Sequence, residues 1–260
     1  SDNDGLNFRI GYHDYNGNDS LFCNYADGAR GELITDDLNN IYVGTCTFSS
    51  NFPTTPNAFQ PYSGGKQDGI VFKLDYSLST LLFSSYLGGS HDDAIYSIDT
   101  DSDYRLYVAG GTVSHNFPTT TNAFSTSFNG GNTDGFIALI SYNGSTILAS
   151  TYFGSNERDQ VYFVRTDKEN SPHVFGQTHA TGSTLIHNAT YNTPNSGQFL
   201  AKFSPDLQTR VWSTVFGSGK GSPNISPSAF AIDNCGRILA TGWGSFGNLS
   251  TLGMQTTPTL

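Results

Sequence analysis

The sequence predicts an all-β protein: a β-propeller built of four-stranded antiparallel blades, with a repeat of about 65 residues. Three observations predict it: a long internal repeat, four strand-like segments in each period, and a composition that suits sheets rather than helices. Ser50-Asn51-Phe52-Pro53-Thr54-Thr55-Pro56-Asn57-Ala58-Phe59 returns about 65 residues on as His115-Asn116-Phe117-Pro118-Thr119-Thr120-Thr121-Asn122-Ala123-Phe124. Ile41-Tyr42-Val43 is matched by Leu106-Tyr107-Val108, then by Pro172-His173-Val174 and Ile238-Leu239-Ala240. Asp36, Asp101, Asp167 and Asp233 keep the same register. Charged residues are 13% of the chain, about half the usual ~25%, while aromatics also reach 13% and no segment sustains a 3.6-residue period. Coiled coils and helical bundles are thereby excluded.

Each period reads as four short strands, alternating or β-branched and aromatic. In the first they are 31–36, 40–46, 69–75 and 80–87. In the second they are 94–100, 105–111, 135–141 and 145–153. In the third they are 161–167, 173–178, 198–204 and 209–216. A fourth period offers 229–233 and 237–242. Turn residues separate them: Asn143-Gly144 reads as a type I′ hairpin, with Asn39-Asn40 and Cys235-Gly236 similar. Gly88-Gly89 and Gly217 end fourth strands where the chain swings to a new sheet. The blades are therefore expected at 31–89, 90–154 and 155–217, with a partial blade at 218–260 and a crossover or insertion at 1–30. A repeat of about 65 residues exceeds the ~40–45 of a WD-type blade. The excess lies between second and third strands, at 47–67, 112–134 and 179–197. These loops share a face with the crossovers, and the acidic turns share the opposite one. Phe52, Phe59, Phe117 and Phe124 are expected to pin the loops, with Phe52 and Phe117 in equivalent buried pockets.

The motif Asn-Phe-Pro-Thr-Thr-x-Asn-Ala-Phe, followed by Gly-Gly, Asp-Gly-x-x-x-x-Leu and Ser84-Ser85-Tyr86-Leu87-Gly88-Gly89-Ser90, resembles the bacterial SBBP β-propeller repeat. The third period departs from it, with Tyr191-Asn192-Thr193-Pro194 in place of Phe-Pro-Thr-Thr. The stretch from Gly221 to Phe230, with Asp233-Asn234-Cys235-Gly236 and Gly242-Trp243-Gly244, is similar to large cell-surface proteins of gliding bacteria. The resemblance covers residues 31–260. It implies an extracellular or cell-surface location, export by type IX secretion as in gliding-motility proteins, and a role beside adhesion repeats. As partners it implies other blades or domains of a longer chain, with a surface protein or glycan beyond them.

The ends admit two readings. Ser1–Gly5 matches the stretch after a Gly-Gly crossover, and 254–260 reads as the start of another long loop. The chain is then three blades and half a fourth from a longer polypeptide, with apolar flanks on its first and last blades. In the rival reading 7–10 and 21–25 complete a fourth blade and close the ring.

A net charge of −10, from 12 Lys+Arg against 22 Asp+Glu, argues against nucleic acid and against a polybasic membrane anchor. No apolar run approaches the ~20 residues of a membrane span. Cys23, Cys46 and Cys235 lack C-x-x-C spacing and read as three small hydrophobes, the alternative being one disulfide. Asp99-x-Asp101-x-Asp103 resembles the start of a calcium loop, but Tyr104 and Gly110 stand where Gly and Glu belong. Carboxylates bonding their own turn backbone are the simpler account. The six histidines show no H-E-x-x-H spacing and no G-x-S-x-G elbow occurs. Asp92-Asp93 reads as a solvated turn rather than a catalytic pair. No metal, cofactor or catalytic residue is assigned. The expected function is a non-catalytic scaffold or adhesion module. The alternatives are a propeller hydrolase or lyase acting on glycans and a closed carbohydrate-binding module.

Overall fold

The computed structural model describes residue 21 and residues 30–244. Those residues form fourteen strands and no helix. Sheet one holds β1 (Glu32–Thr35), β2 (Ile41–Thr47), β3 (Asp68–Leu74) and β4 (Leu81–Leu87). Sheet two holds β5 (Asp93–Thr100), β6 (Leu106–Thr112), β7 (Asp134–Ile140) and β8 (Ile147–Phe153). Sheet three holds β9 (Asp159–Thr166), β10 (Pro172–Thr178), β11 (Gln198–Phe203) and β12 (Arg210–Phe216). The last sheet has only β13 (Ile225–Ile232) and β14 (Ile238–Gly244) among the described residues. In each sheet the strands pair antiparallel in sequence order, as consecutive hairpins and long loops dictate. The result is consistent with a series of blades.

The register repeats from sheet to sheet. Thr35 faces Ile41, Thr100 faces Leu106, Thr166 faces Pro172 and Ile232 faces Ile238. Each first hairpin closes on a three-residue loop whose last member is left-handed: Asn39 at φ 60°, Tyr104 at 58°, Asn170 at 62° and Gly236 at 77°. This is a type I turn with a bulge, which sustains strand twist without two consecutive left-handed residues. The Asn143-Gly144 turn is corrected accordingly. Only Gly144 has positive φ, and Ser141 pairs with Thr146 across a four-residue loop rather than a type I′ turn.

The cores lie between sheets. Tyr42, Val71, Phe83, Ile95, Ile98, Val108 and Phe136 pack between sheets one and two. Gly44 permits the approach, since a Cβ there would collide with Ile98. Tyr107, Ile137, Phe153, Val161, Phe199 and Phe203 pack between sheets two and three. Phe175, Phe216 and Phe230 join sheet three to the last. At roughly 1.5–3 kcal/mol for each large side chain buried, these layers dominate the stabilisation. The middle sheet is enclosed on both faces, and β6 and β7 are buried throughout.

The first strands β1, β5, β9 and β13 stand side by side in that order, so the sheets fan around a common line. The Arg30 guanidinium, at the entry to β1, donates to the Pro227 carbonyl of β13 at 3.3 Å. Leu21 is the one described residue of the 7–10 and 21–25 segments in the rival reading. It lies in a turn rather than a strand, buried among Cys46, Ala94, Tyr96 and Tyr162. Residues 7–10, 22–25 and 254–260, with Cys23, lie outside the described residues. Cys46 is buried and accepts from Gln67, whereas Cys235 is exposed on a hairpin.

Candidate functional site

The four register-matched aspartates begin the first hairpins and close them. Oδ1 of Asp36 accepts from the N–H groups of Leu38 and Asn40. Asp101 does the same with Asp103 and Arg105, Asp167 with Glu169 and Ser171, and Asp233 with Cys235 and Arg237. Oδ2 then meets a cation. Asp36 pairs with the buried Lys73 at 3.3 Å, and Asp167 with Lys202 at 2.6 Å and with His173. In sheet two Leu139 occupies the lysine position, and Arg105 pairs with Asp101 instead. Burial opposes ionisation of Asp167, but Lys202 and His173 outweigh it and hold the carboxyl at about 2. The Asp99, Asp101 and Asp103 carboxylates do not converge: Asp99 accepts from Thr166, while Asp101 and Asp103 bind Arg105. Among the described residues no three His, Cys, Asp or Glu side chains group as metal ligands.

The long loops lie against the fourth strands. The Tyr86 hydroxyl donates to the Ser49 carbonyl and accepts from the Phe52 N–H, and Tyr152 repeats both bonds with Ser114 and Phe117. Phe117 is fully buried on Phe136, its ring 4.3 Å away centre to centre. Phe52 is only half-buried, against Phe72 and Tyr86, so the two pockets are equivalent in place but not in depth. Phe124 does not pin its own sheet alone. It stacks edge-on against Phe203 of sheet three, and its N–H donates to the Leu207 carbonyl. The third loop, without Phe-Pro, still docks on its fourth strand through a bridge between His187 and Ser213.

A second set of aspartates sits on the crossover face. Asp93 does not pair with Asp92 in a solvated turn. It is fully buried and faces Asp68 across Gly88. A Cβ on Gly88 would collide with Asp68 Oδ1 and stand 2.8 Å from Asp93 Oδ2. Asp134 and Asp159 flank Gly154 in the same way. Oδ2 of each accepts backbone N–H bonds: Gly64 and Gly65 to Asp68, Gly89 to Asp93, Asn129 to Asp134, Ser155 to Asp159. Burial pushes Asp93 and Asp134 up to about 7 and Asp159 to about 6.

A third constellation lies on the common line of the sheets. The Glu32 carboxylate of β1 accepts from the Ser97 hydroxyl at 2.6 Å and the Ile98 N–H at 2.9 Å. Arg165 of β9 pairs with Glu32 and also donates to the Ser97 hydroxyl and the Val164 carbonyl. Farther along, the Tyr96 and Tyr162 rings stack at 5.3 Å and Arg30 lies over Tyr162. Tyr96 and Gln160 both donate to the Leu21 carbonyl. Charge in this knot is compensated, so it suits positioning and hydrogen bonding better than proton transfer. The sequence contained its signal in the places where the repeat fails: Glu32, Ser97, Phe163 and Ala229 share one register position, and Ile34, Asp99, Arg165 and Ala231 another. Neither the knot nor the crossover pairs are expected from motif reading.

Compared with known proteins, the chain matches no family model and no curated protein sequence.

Proposed function

We propose that the sheets are successive blades of a β-propeller of the SBBP type, and that the chain is a non-catalytic scaffold or adhesion module. Its setting in this reading is a secreted or cell-surface bacterial protein, with neighbouring domains and surface proteins or glycans as partners. One observation carries the proposal: the repeated polar residues are spent on the fold. The hairpin aspartates close their own turns and meet Lys73, Arg105, Lys202 and Arg237, and the loop tyrosines anchor loop backbone. Fan-like placement of β1, β5, β9 and β13 supports the propeller, and the Arg30–Pro227 bond supports a narrow ring. Among the described residues no helix is long and apolar enough to cross a membrane.

A glycan-processing centre is favoured by one specific observation, the unlike residues around the common line: Glu32, Ser97, Asp99 and Arg165. Fold alone does not decide between these functions. The two readings separate in one experiment. The purified chain is incubated with a panel of surface polysaccharides while binding and bond cleavage are both followed. Saturable binding without turnover supports the scaffold. Turnover abolished by Glu32→Gln overturns it.

A further inference from the structure

We infer that each crossover pair, Asp68 with Asp93 and Asp134 with Asp159, holds a single proton between its two carboxyl groups, which makes the joints between sheets sensitive to pH. The inference is independent of the proposed function.

The geometry presents an imbalance. All four side chains are at most 1% exposed, and Oδ1 of every one lacks a hydrogen-bond partner. Their other oxygens already accept backbone N–H groups. Each pair therefore places acceptors on either side of one glycine, with no hydrogen-bond donor shared between the two carboxyl groups among the described residues. A buried charge persists only when paired and hydrogen-bonded. No ion pair to any of the four is present among the described residues. One proton supplies the missing donor and removes one of two like charges.

The third crossover supplies an internal comparison. There Gly197 stands in place of Asp68 and Asp134, and Ile225 in place of Asp93 and Asp159. Both acids are lost together. Two neutral amides take over beside Gly217: turned so that its bonds are satisfied, Gln198 donates to the Phe216 carbonyl and to Asn224 Oδ1, and accepts from the Asn224 and Ile225 N–H groups. An amide pair carries its own donor, and an acid pair needs a proton to match it. No described crossover keeps one acid without the other.

The surroundings favour protonation. Around the first pair stand Thr112 and Ser114 of β6 and its following loop, His91 and Asp92 of the same crossover, and the Tyr152 phenol of β8. Around the second stand Thr178, Ser155, Glu157, Arg158, His179 and again Tyr152. Burial dominates at both, and the partner carboxylate adds to it at Asp93 and Asp134, as Glu157 does at Asp159.

The sign follows from linkage. In the unfolded chain both carboxyls ionise near pH 3.9, whereas the folded pair keeps its last proton to about 6–7. Folding thus takes up protons between about pH 4 and 7. The folding constant falls about tenfold per pH unit for each proton held, then levels off above that window.

The test is denaturant unfolding of the whole chain from pH 5 to 8.5, beside an Asp68→Asn/Asp134→Asn variant whose amides carry a permanent donor. The wild type is expected to lose folding constant between pH 5 and 7 more steeply than the variant, with parallel curves above pH 8. Equal slopes overturn the inference. If the variant does not fold, infrared spectroscopy of the intact wild type at pH 6 decides: a protonated-carboxyl stretch that fades by pH 8 supports the shared proton, and its absence overturns it. Both measurements are repeated with millimolar calcium and with chelator. A calcium-dependent rise in the wild-type midpoint at pH 8, lost in the variant, assigns the pairs to a metal ion and also overturns the inference.

Discussion

Leu78 and Leu207 occupy the same left-handed corner of the third hairpin, at φ 58° and 57°, where the second sheet has Gly144 at 67°. A leucine there costs about 1–2 kcal/mol of backbone strain. The two differ in what they receive in return. Leu78 is 64% exposed, whereas Leu207 is fully buried in the layer between sheets two and three. Leu78→Gly should therefore stabilise the protein by about 1 kcal/mol, and Leu207→Gly should destabilise it by about 2–4 kcal/mol, as cavity costs exceed relieved strain. Chemical denaturation of the two variants checks both signs. A stabilised Leu207→Gly would show that its burial contributes little. At this scale the sequence was legible where chemistry is local. The register-matched aspartates bond their own turn backbone, as Asp in a tight turn does. It was illegible where partners come from different sheets. Asp68 meets Asp93 only because β3 and β5 flank one glycine, and Asp92, the neighbour in sequence, is not the partner.

The strands were legible because each alternates or is β-branched and is bounded by turn residues, and because every sheet repeats the evidence of the last. β13 begins four residues before the strand expected at 229–233, since Pro227 interrupts the sequence pattern at a bulge. The long loops followed their apolar anchors, but the depth of each anchor depended on the strand beneath. Phe117 covers Phe136 in a closed layer, and Phe52 lies half-open over Phe72. Phe117→Ala should cost about 3–5 kcal/mol, and Phe52→Ala roughly half as much. Tyr86→Phe and Tyr152→Phe should each release a loop by removing a hydroxyl that makes two backbone bonds, with little change in the sheets. Limited proteolysis is the direct assay: cleavage within the long loops should accelerate while the cores stay intact. Equal destabilisation by the two phenylalanine variants would show that exposure does not set the difference.

Two large apolar side chains stand exposed on the outermost of the described sheets. Leu33 on β1 is 63% exposed and Leu239 on β14 is 56% exposed, on the first and last sheets of the series. Paired Leu33→Thr and Leu239→Thr substitutions should lower self-association in sedimentation at high protein concentration, with unfolding unchanged within about 0.5 kcal/mol. Undiminished association would place the contact elsewhere. The common line of the sheets was invisible to repeat reading for a physical reason: strands that pack on one another must look alike, whereas residues meeting at the centre must complement one another and so differ. Sequence identity between repeats finds the first and conceals the second. Each sheet is also made from one unbroken stretch of chain, tied to the next by a short crossover and a layer of side chains. Held at its ends and stretched, such a molecule should give way sheet by sheet once the links between non-adjacent sheets, Glu32–Arg165 and Arg30–Pro227, have parted. The fully enclosed β5–β8 sheet should resist longest, and each sheet released would lengthen the chain by the span of its own stretch. A series built this way should absorb mechanical work in steps, which single-molecule stretching would read as successive jumps in length.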